Sequence, residues 1–209
     1  MKKGLSVSEL MKKRYKVLDF QGELNEAFGN PEGCGVWFIW GNSGNGKSSF
    51  VVKLCKELLR FGRVLYNSLE EGSSLTLQNA FKEFDTEETK RRLLIINEDI
   101  QTLENRLSKK RTQEFVIIDS FQYSRMTYES YLKFKEKFPN KLIVFISHAD
   151  GKRPSGRSAK SVMYDASLKI WIEGFKAFSK GRFIGKNGGT YTIWEEGANR
   201  YWNAEQIKN

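Results

Sequence analysis

The sequence contains little cysteine, proline or histidine, with two, three and one of these residues among 209. The cysteines, Cys34 and Cys55, cannot form a disulfide framework, and no histidines stand at metal-ligand spacing from them. We therefore expect reduced core thiols in a cytosolic protein. No apolar run approaches the roughly 18 residues of a membrane-spanning helix. The segment 1–7 is basic, but no apolar stretch follows it, so we expect no secretory signal.

Positive charge is the main excess of the composition. Lysine and arginine total 35 against 25 aspartates and glutamates, which gives a formal net charge of +10. An excess of this size favours a polyanionic partner, with nucleic acid first and an anionic membrane surface second. The alternative that the charge only aids solubility stays open.

The strongest motif is a glycine-rich loop between an apolar strand and an amphipathic helix. The pattern G-x-x-x-x-G-K-[ST] is filled by Gly41, Gly46, Lys47 and Ser48. In this motif backbone N–H groups surround a phosphate, the lysine reaches the β- and γ-phosphates, and the serine hydroxyl binds Mg²⁺. We therefore predict ATP and Mg²⁺ as cofactors. The predicted nucleotide-binding residues are Gly41, Asn42, Ser43, Gly44, Asn45, Gly46, Lys47, Ser48 and Ser49.

Apolar strands alternate with helices along most of the chain, which predicts a mostly parallel sheet buried on both faces by helices. The predicted strands are 36–40, 64–69, 93–97, 115–118 and 142–146, and the predicted helices are 47–61, 73–84, 99–111 and 127–138. After about residue 167, three short strands at 168–173, 175–183 and 190–195 indicate an antiparallel extension. The fold class is therefore α/β, with a C-terminal antiparallel β extension.

Acidic residues follow two of the predicted strands. Asp119 ends the strand 115–118, at the edge where α/β sheets bind ligands, and we predict that it binds Mg²⁺ together with Ser48. Ser120 follows it, so the base that orients water must come from elsewhere. Glu70 is our first choice and Glu71 our second, and a plain solvated turn stays open as the alternative for both.

The only histidine, His148, follows the strand 142–146 and is predicted to contact the γ-phosphate region. A purely structural role for it is about equally open. Together with Glu70, Glu71 and Lys47 it completes the set of predicted catalytic residues.

Three basic segments are candidates for contact with a polyanion. Tyr123 and Arg125 share a loop in which an aromatic ring beside a cation suits unstacked bases. Residues 150–161 read as a flexible basic loop that carries Lys152, Arg153, Arg157 and Lys160 and would close on a phosphate backbone. Lys180 and Arg182 would lie on one face of an edge hairpin and reach a neighbouring subunit's ATP.

These motifs, taken in order, resemble the RecA-core ATPases, closest to the RadA, KaiC and DnaB branch. The matching segments are the phosphate loop, Ser68 to Glu71 after the second strand, Asp119-Ser120, Ser147-His148, and Lys180-Gly181-Arg182-Phe183. Ile184 departs from the RadA pattern, which has glycine at that point. The resemblance covers roughly residues 34–198. It implies that the catalytic glutamate follows the second strand, at Glu70 or Glu71. It also implies that Lys180 and Arg182 act on a neighbouring subunit's nucleotide or couple it to DNA.

The resemblance divides the chain into a basic arm and lead-in at 1–33, a core at 34–198 and a tail at 199–209. We see neither the zinc finger of RadA nor the N-terminal domain of DnaB, so we expect a stand-alone core similar to phage or mobile-element annealing and recombination ATPases. The resemblance implies a DNA-stimulated ATPase acting on single-stranded DNA in recombination, annealing or replication. It also implies a ring or filament of identical subunits, with a replication or recombination protein as a further possible partner, no membrane partner, and the cytoplasm of a bacterial or phage-infected cell.

Two other functions stay open. One is a nucleotide-gated regulator or helicase-loading adaptor that acts on a protein partner. The other is a small-molecule phosphotransferase, which is less favoured because no segment resembles a lid with phosphate-clamping arginines.

Overall fold

The structure, a computed structural model, describes residues 4–84 and 86–208. Its strands are β1 Gly35–Gly41, β2 Val64–Ser68, β3 Leu93–Ile96, β4 Phe115–Asp119, β5 Leu142–Asp150, β6 Arg153–Pro154, β7 Leu168–Glu173, β8 Lys176–Ser179 and β9 Thr190–Thr192. Its α-helices are α1 Val7–Lys12, α2 Gly22–Phe28, α3 Lys47–Leu59, α4 Leu75–Ala80, α5 Glu87–Arg92, α6 Ile100–Leu107, α7 Tyr128–Lys137, α8 Arg157–Asp165 and α9 Glu195–Lys208.

The strands form a sheet in the order β3-β2-β4-β5-β1-β7-β8-β9. The strands from β3 to β7 in this order run parallel, whereas β8 and β9 add to β7 in antiparallel fashion. The predicted α/β architecture with a C-terminal antiparallel extension is therefore confirmed. The chain crosses from β2 to its parallel neighbour β3 through α4 and α5, and from β4 to its parallel neighbour β5 through α7. Parallel neighbours require such crossover connections.

Alternating side chains of the strands build one core on each face of the sheet. On β1, Trp37 and Ile39 pack with helices α2 and α3, whereas Phe38 and Trp40 pack on the other face with α6, α7 and α8. Because both faces are covered, the central strands are almost continuously apolar, and this is why they were predictable. No helix in the described residues is long and apolar enough to cross a membrane.

The segment ahead of β1 packs on the core. Leu18, Phe20, Ala27 and Phe28 are buried, and the Phe28 ring meets the Phe50 ring of α3 at 6.0 Å between centroids. Residues 4–16, which include α1, carry no buried side chain. At the other end, α9 occupies nearly all of the predicted tail 199–209, and its Trp202 indole donates a hydrogen bond to the Gly174 carbonyl oxygen at 3.1 Å.

Two predicted segments differ in the structure. Residues 150–161 are not a flexible loop, because β5 continues to Asp150, β6 pairs with it, and α8 begins at Arg157. Helix α8 forms because Ala159 and Val162, with Ala166 at the cap that ends the helix, recur at helical spacing and are buried against the sheet. Strand β8 ends at Ser179, so Lys180 and Arg182 follow the strand as exposed residues and do not alternate within it.

Candidate functional site

The phosphate loop lies between the end of β1 and the start of α3. Gly44 and Gly46 have φ of 75° and 92°, in the left-handed region that favours glycine. At Gly41 a Cβ atom would collide with the backbone carbonyl oxygen of Ile172 on β7. The glycines are therefore needed for the shape of the loop, and the first N–H groups of α3 lie at its end, where an anion binds.

Two asparagines fix the loop to its surroundings. The Asn42 side chain donates to the Gly151 carbonyl oxygen at 3.2 Å. The Asn45 side-chain oxygen accepts a hydrogen bond from the Gly174 N–H at 2.7 Å, and the Asn45 backbone carbonyl oxygen accepts one from the Phe175 N–H at 3.2 Å. Because both ends of the loop are held, its conformation is set before any ligand arrives, which lowers the entropy lost on binding.

A cleft of about 600 Å³ opens beside the loop, within the size range of small-molecule sites. It brings together Lys47 and Ser48 of α3, Glu70 and Glu71 after β2, Asp119 of β4 and His148 of β5. These residues come from four segments that are separate in sequence but end at the same edge of the sheet. Five further predicted nucleotide-binding residues lie here: Ser43, Gly44, Gly46 and Ser49 line the cleft, and Asn45 holds the loop.

Asp119 and Lys47 are opposite charges in the half-buried floor of this cleft. Burial raises the pKa of the Asp119 carboxyl, a shift opposed by the hydrogen bond that the Tyr66 hydroxyl donates to its Oδ2 and by the charge of Lys47. Burial likewise lowers the pKa of Lys47, opposed by the charges of Asp119 and Glu70. Keeping Lys47 and Asp119 charged in this cleft therefore costs desolvation free energy, as is typical of sites that bind a charged ligand.

The cleft fits a nucleotide with its metal ion. In the described residues no group of three histidine, cysteine, aspartate or glutamate side chains forms a metal cage of its own. Magnesium in nucleotide sites is bound by one or two protein oxygens together with phosphate oxygens and water. The Ser48 hydroxyl and the Asp119 carboxylate are such a pair of oxygens.

The two glutamates after β2 have different surroundings. Glu70 Oε2 lies 2.7 Å from His148 Nε2, across the cleft. Glu71 Oε2 instead accepts hydrogen bonds from the hydroxyls of Ser74 at 2.9 Å and Thr76 at 2.6 Å, at the start of α4. Both carboxylates line the cleft, but Glu71 is already bound by the helix that follows it, which favours Glu70 for contact with a ligand.

Two residues of the site, Gln122 and Phe175, were not predicted from the sequence. The Gln122 side-chain oxygen accepts from the His148 N–H at 3.2 Å, and its nitrogen donates to Ser147 Oγ at 2.8 Å and to the Ser155 carbonyl oxygen at 3.0 Å. Phe175 lines the cleft with φ of 59°. Ser147 is buried within β5 and its hydroxyl needs a partner, but the sequence has no pattern that identifies Gln122 as that partner.

The predicted polyanion contacts fall into separate places. Tyr123 is half exposed, and its ring lies 6.3 Å from the His148 ring, with Arg125 exposed nearby in the same loop. Lys152, Arg153 and Lys160 line a different cleft, whereas Arg157 is exposed at the start of α8.

The sheet order and the phosphate loop define a RecA-like P-loop fold. Similar to this chain is the crystal structure of the flagellar accessory protein FlaH from Methanocaldococcus jannaschii, with a TM-score of 0.59 and 16% sequence identity. The match covers 86% of this chain and 92% of that chain. At this identity the likeness shows the fold alone. No protein-family model and no curated protein sequence matches the chain.

Proposed function

We propose that this protein binds and hydrolyses Mg-ATP and acts on single-stranded DNA in recombination, annealing or replication. The observation that carries the proposal is the convergence of Lys47, Ser48, Asp119 and the Glu70–His148 pair on one cleft beside the phosphate loop. Phosphoryl transfer depends mainly on positioning and on charge stabilisation, and these residues supply both.

Each residue has a distinct part in the proposed reaction. Lys47 would bind the β- and γ-phosphates, while Ser48 and Asp119 would hold Mg²⁺. When bound, the metal ion neutralises charge on the phosphate oxygens. Glu70 would orient the attacking water and accept its proton, and His148 would position the Glu70 carboxylate through their 2.7 Å contact.

The action on single-stranded DNA rests on charge and on exposed groups beside the site. The net charge of +10 favours a polyanion, and Tyr123 presents an exposed ring next to His148. We also propose that identical subunits assemble so that the exposed Lys180 and Arg182 reach a neighbour's nucleotide. RecA-like assembly is implied by the resemblance to the RadA and DnaB branch, which itself remains a prediction.

The test is ATP turnover measured at low ionic strength without DNA, with single-stranded DNA and with duplex DNA. We expect stimulation by single strands, and we expect that stimulation to fall as salt is raised because phosphate contacts release counterions. Turnover that is equal in all three conditions would contradict the proposed action on DNA and leave the nucleotide site standing.

A second candidate is a nucleotide-gated regulator or helicase-loading adaptor that acts on a protein. It is favoured by α1, on which Val7, Leu10 and Met11 form an apolar row that is exposed to solvent. The structural neighbour FlaH is also described as an accessory protein. DNA-independent turnover together with a protein partner that is lost on deletion of residues 1–12 would favour this candidate.

A further inference from the structure

A second cleft, of about 530 Å³, lies on the face of the sheet opposite α3. Five of its lining residues are cations and none is a carboxylate. Its aromatic walls are Trp40, Tyr164 and Trp171. The cations are Lys152, Arg153, Lys160, Lys169 and Lys180. We refer to these eight residues as the basic cleft.

The basic cleft exists because α8 covers only part of this face of the sheet. The helix packs on β1 and its neighbours through buried Ala159 and Val162, together with Ala166, which directly follows the helix. On β7, Lys169 and Trp171 are two residues apart, so both side chains lie on this face of the sheet. Trp171 is the register partner of Trp40 on β1 and of Phe178 on β8. A half-covered sheet face thus presents rings with cations around them.

No cation of the basic cleft is held in an ion pair in the part of the chain that the structure describes, although the charge of Lys169 acts on the Asp165 carboxylate and helps to lower its pKa. None of the five forms an ion pair within 4 Å among the described residues. Instead, Lys152 Nζ and Lys180 Nζ lie 5.9 and 5.6 Å from the centroid of the Trp171 ring. Five like charges around one concave surface repel one another, and a bound anion relieves that repulsion.

We propose that the basic cleft binds a nucleotide unit of single-stranded nucleic acid, with a base against the Trp171 and Tyr164 rings and the flanking phosphates on the lysines. This inference rests on the proposed action on single-stranded DNA and gives it a site. An unpaired strand fits better than a duplex because rings at the wall of a cleft stack only on bases that have left their partners.

The basic cleft is physically joined to the nucleotide site. Trp40 directly precedes Gly41 of the phosphate loop, and its indole N–H donates to the Lys152 carbonyl oxygen at 3.1 Å. The β5–β6 hairpin that carries Lys152 continues from His148 and is also held by Asn42. A DNA strand bound in the basic cleft would therefore contact the β5–β6 hairpin, which connects to the Glu70–His148 pair. This connection is a route by which DNA would affect ATP turnover.

The test compares two double variants that lose the same charge. Binding of a fluorescently labelled oligothymidylate is measured by anisotropy over a range of salt concentrations. We expect Lys152→Ala/Lys169→Ala to lose about tenfold or more in affinity and to lower the log–log salt slope by about 1.4, since each phosphate contact on a single strand contributes about 0.7. Lys109→Ala/Lys110→Ala, exposed after α6, should bind as the wild type does.

A second pair of variants tests the stacking independently of charge. Trp171→Phe keeps an aromatic ring and should retain most of the affinity, whereas Trp171→Leu should lose about fivefold or more. Thermal unfolding of each variant shows whether it is folded.

The outcomes separate this inference from the function on which it rests. If the wild type binds no oligothymidylate, both the site and the proposed action on DNA are wrong. If the wild type binds and the Lys152/Lys169 variant binds equally well, only the site is wrong. Equal displacement of the strand by inorganic phosphate and by thymidine monophosphate would also overturn the inference, because it would show an anion site that does not recognise a base.

Discussion

Replacing Glu70 and Glu71 separately by glutamine tests which carboxylate acts on water. Glu70→Gln keeps the shape of the side chain and a hydrogen bond to His148 but removes the basic carboxylate. A positioned general base contributes typically 10²- to 10⁴-fold, so we expect turnover to fall by about a hundredfold or more. Binding of ATP should persist, because Lys47, Ser48 and Asp119 are unchanged.

Glu71→Gln should behave differently because this carboxylate serves the start of α4. Its Oε2 accepts hydrogen bonds from Ser74 and Thr76 at 2.9 and 2.6 Å, and the glutamine oxygen can accept the same two bonds. We expect a loss of less than about 1 kcal/mol in the free energy of unfolding. Turnover should stay within a few fold of the wild type.

Single-turnover hydrolysis measures the chemical step, equilibrium titration with a fluorescent ATP analogue measures binding, and thermal unfolding measures stability. Near-normal turnover in Glu70→Gln would refute the assignment. A larger loss of turnover in Glu71→Gln than in Glu70→Gln would transfer the role to Glu71.

Three further predictions follow from single contacts. Asp119→Asn should raise the free energy of unfolding of the ligand-free protein by about 0.5–2 kcal/mol, because burial disfavours the charged carboxyl. The same change should weaken Mg-ATP binding. Chemical denaturation measures the first effect and ATP titration the second. Gly41→Ala should lower stability and ATP affinity together because its Cβ would meet the Ile172 carbonyl oxygen, as denaturation and titration would show; an unchanged affinity would contradict this. Burial opposes ionisation of Glu114, but hydrogen bonds from Arg63 lower the pKa of Glu114 to about 2. The ionised carboxylate therefore stabilises the fold above its ordinary pKa, and this stabilisation is lost as pH falls towards 2. Glu114→Gln should accordingly lower the free energy of unfolding at pH 7 and not at pH 2, as denaturation across this pH range would measure.

The central strands and the phosphate loop were predictable because their signals are local. Strand β1 is an apolar run that stops at glycine, and α3 starts at Lys47 as the motif requires. The edge of the sheet at which Asp119, Glu70 and His148 meet follows from the parallel arrangement of their strands. The sequence therefore predicts that these three residues lie at one edge of the sheet.

Helix α8 was missed although its spacing was present in the sequence. Ala159, Val162, Met163 and Ala166 recur at helical spacing, but two of them are small, and glycine, proline, serine and basic residues around them indicated a loop. The end of β8 at Ser179 was missed because alternation continues in the sequence for a few residues after the ladder has ended.

The basic cleft could not be predicted because it depends on contacts between distant segments. Lys152 lies in the turn between β5 and β6, Lys169 lies on β7, and Lys180 follows β8. Only the pairing of β7 with β1 and β8 brings them around Trp171. The partnership of Gln122 with His148 is likewise a tertiary contact. Sequence patterns identify elements and strand ends, whereas such contacts depend on how the elements pack.

The most direct test of the account is steady-state Mg-ATP hydrolysis by the wild type beside Lys47→Ala, each checked for folding by thermal unfolding. The account predicts measurable turnover in the wild type and its loss in the folded variant, because Lys47 lies in the floor of the cleft and would carry the charge that meets the β- and γ-phosphates. Equal turnover in the two proteins, or a folded wild type that neither binds nor hydrolyses ATP, would contradict the nucleotide site on which everything else depends.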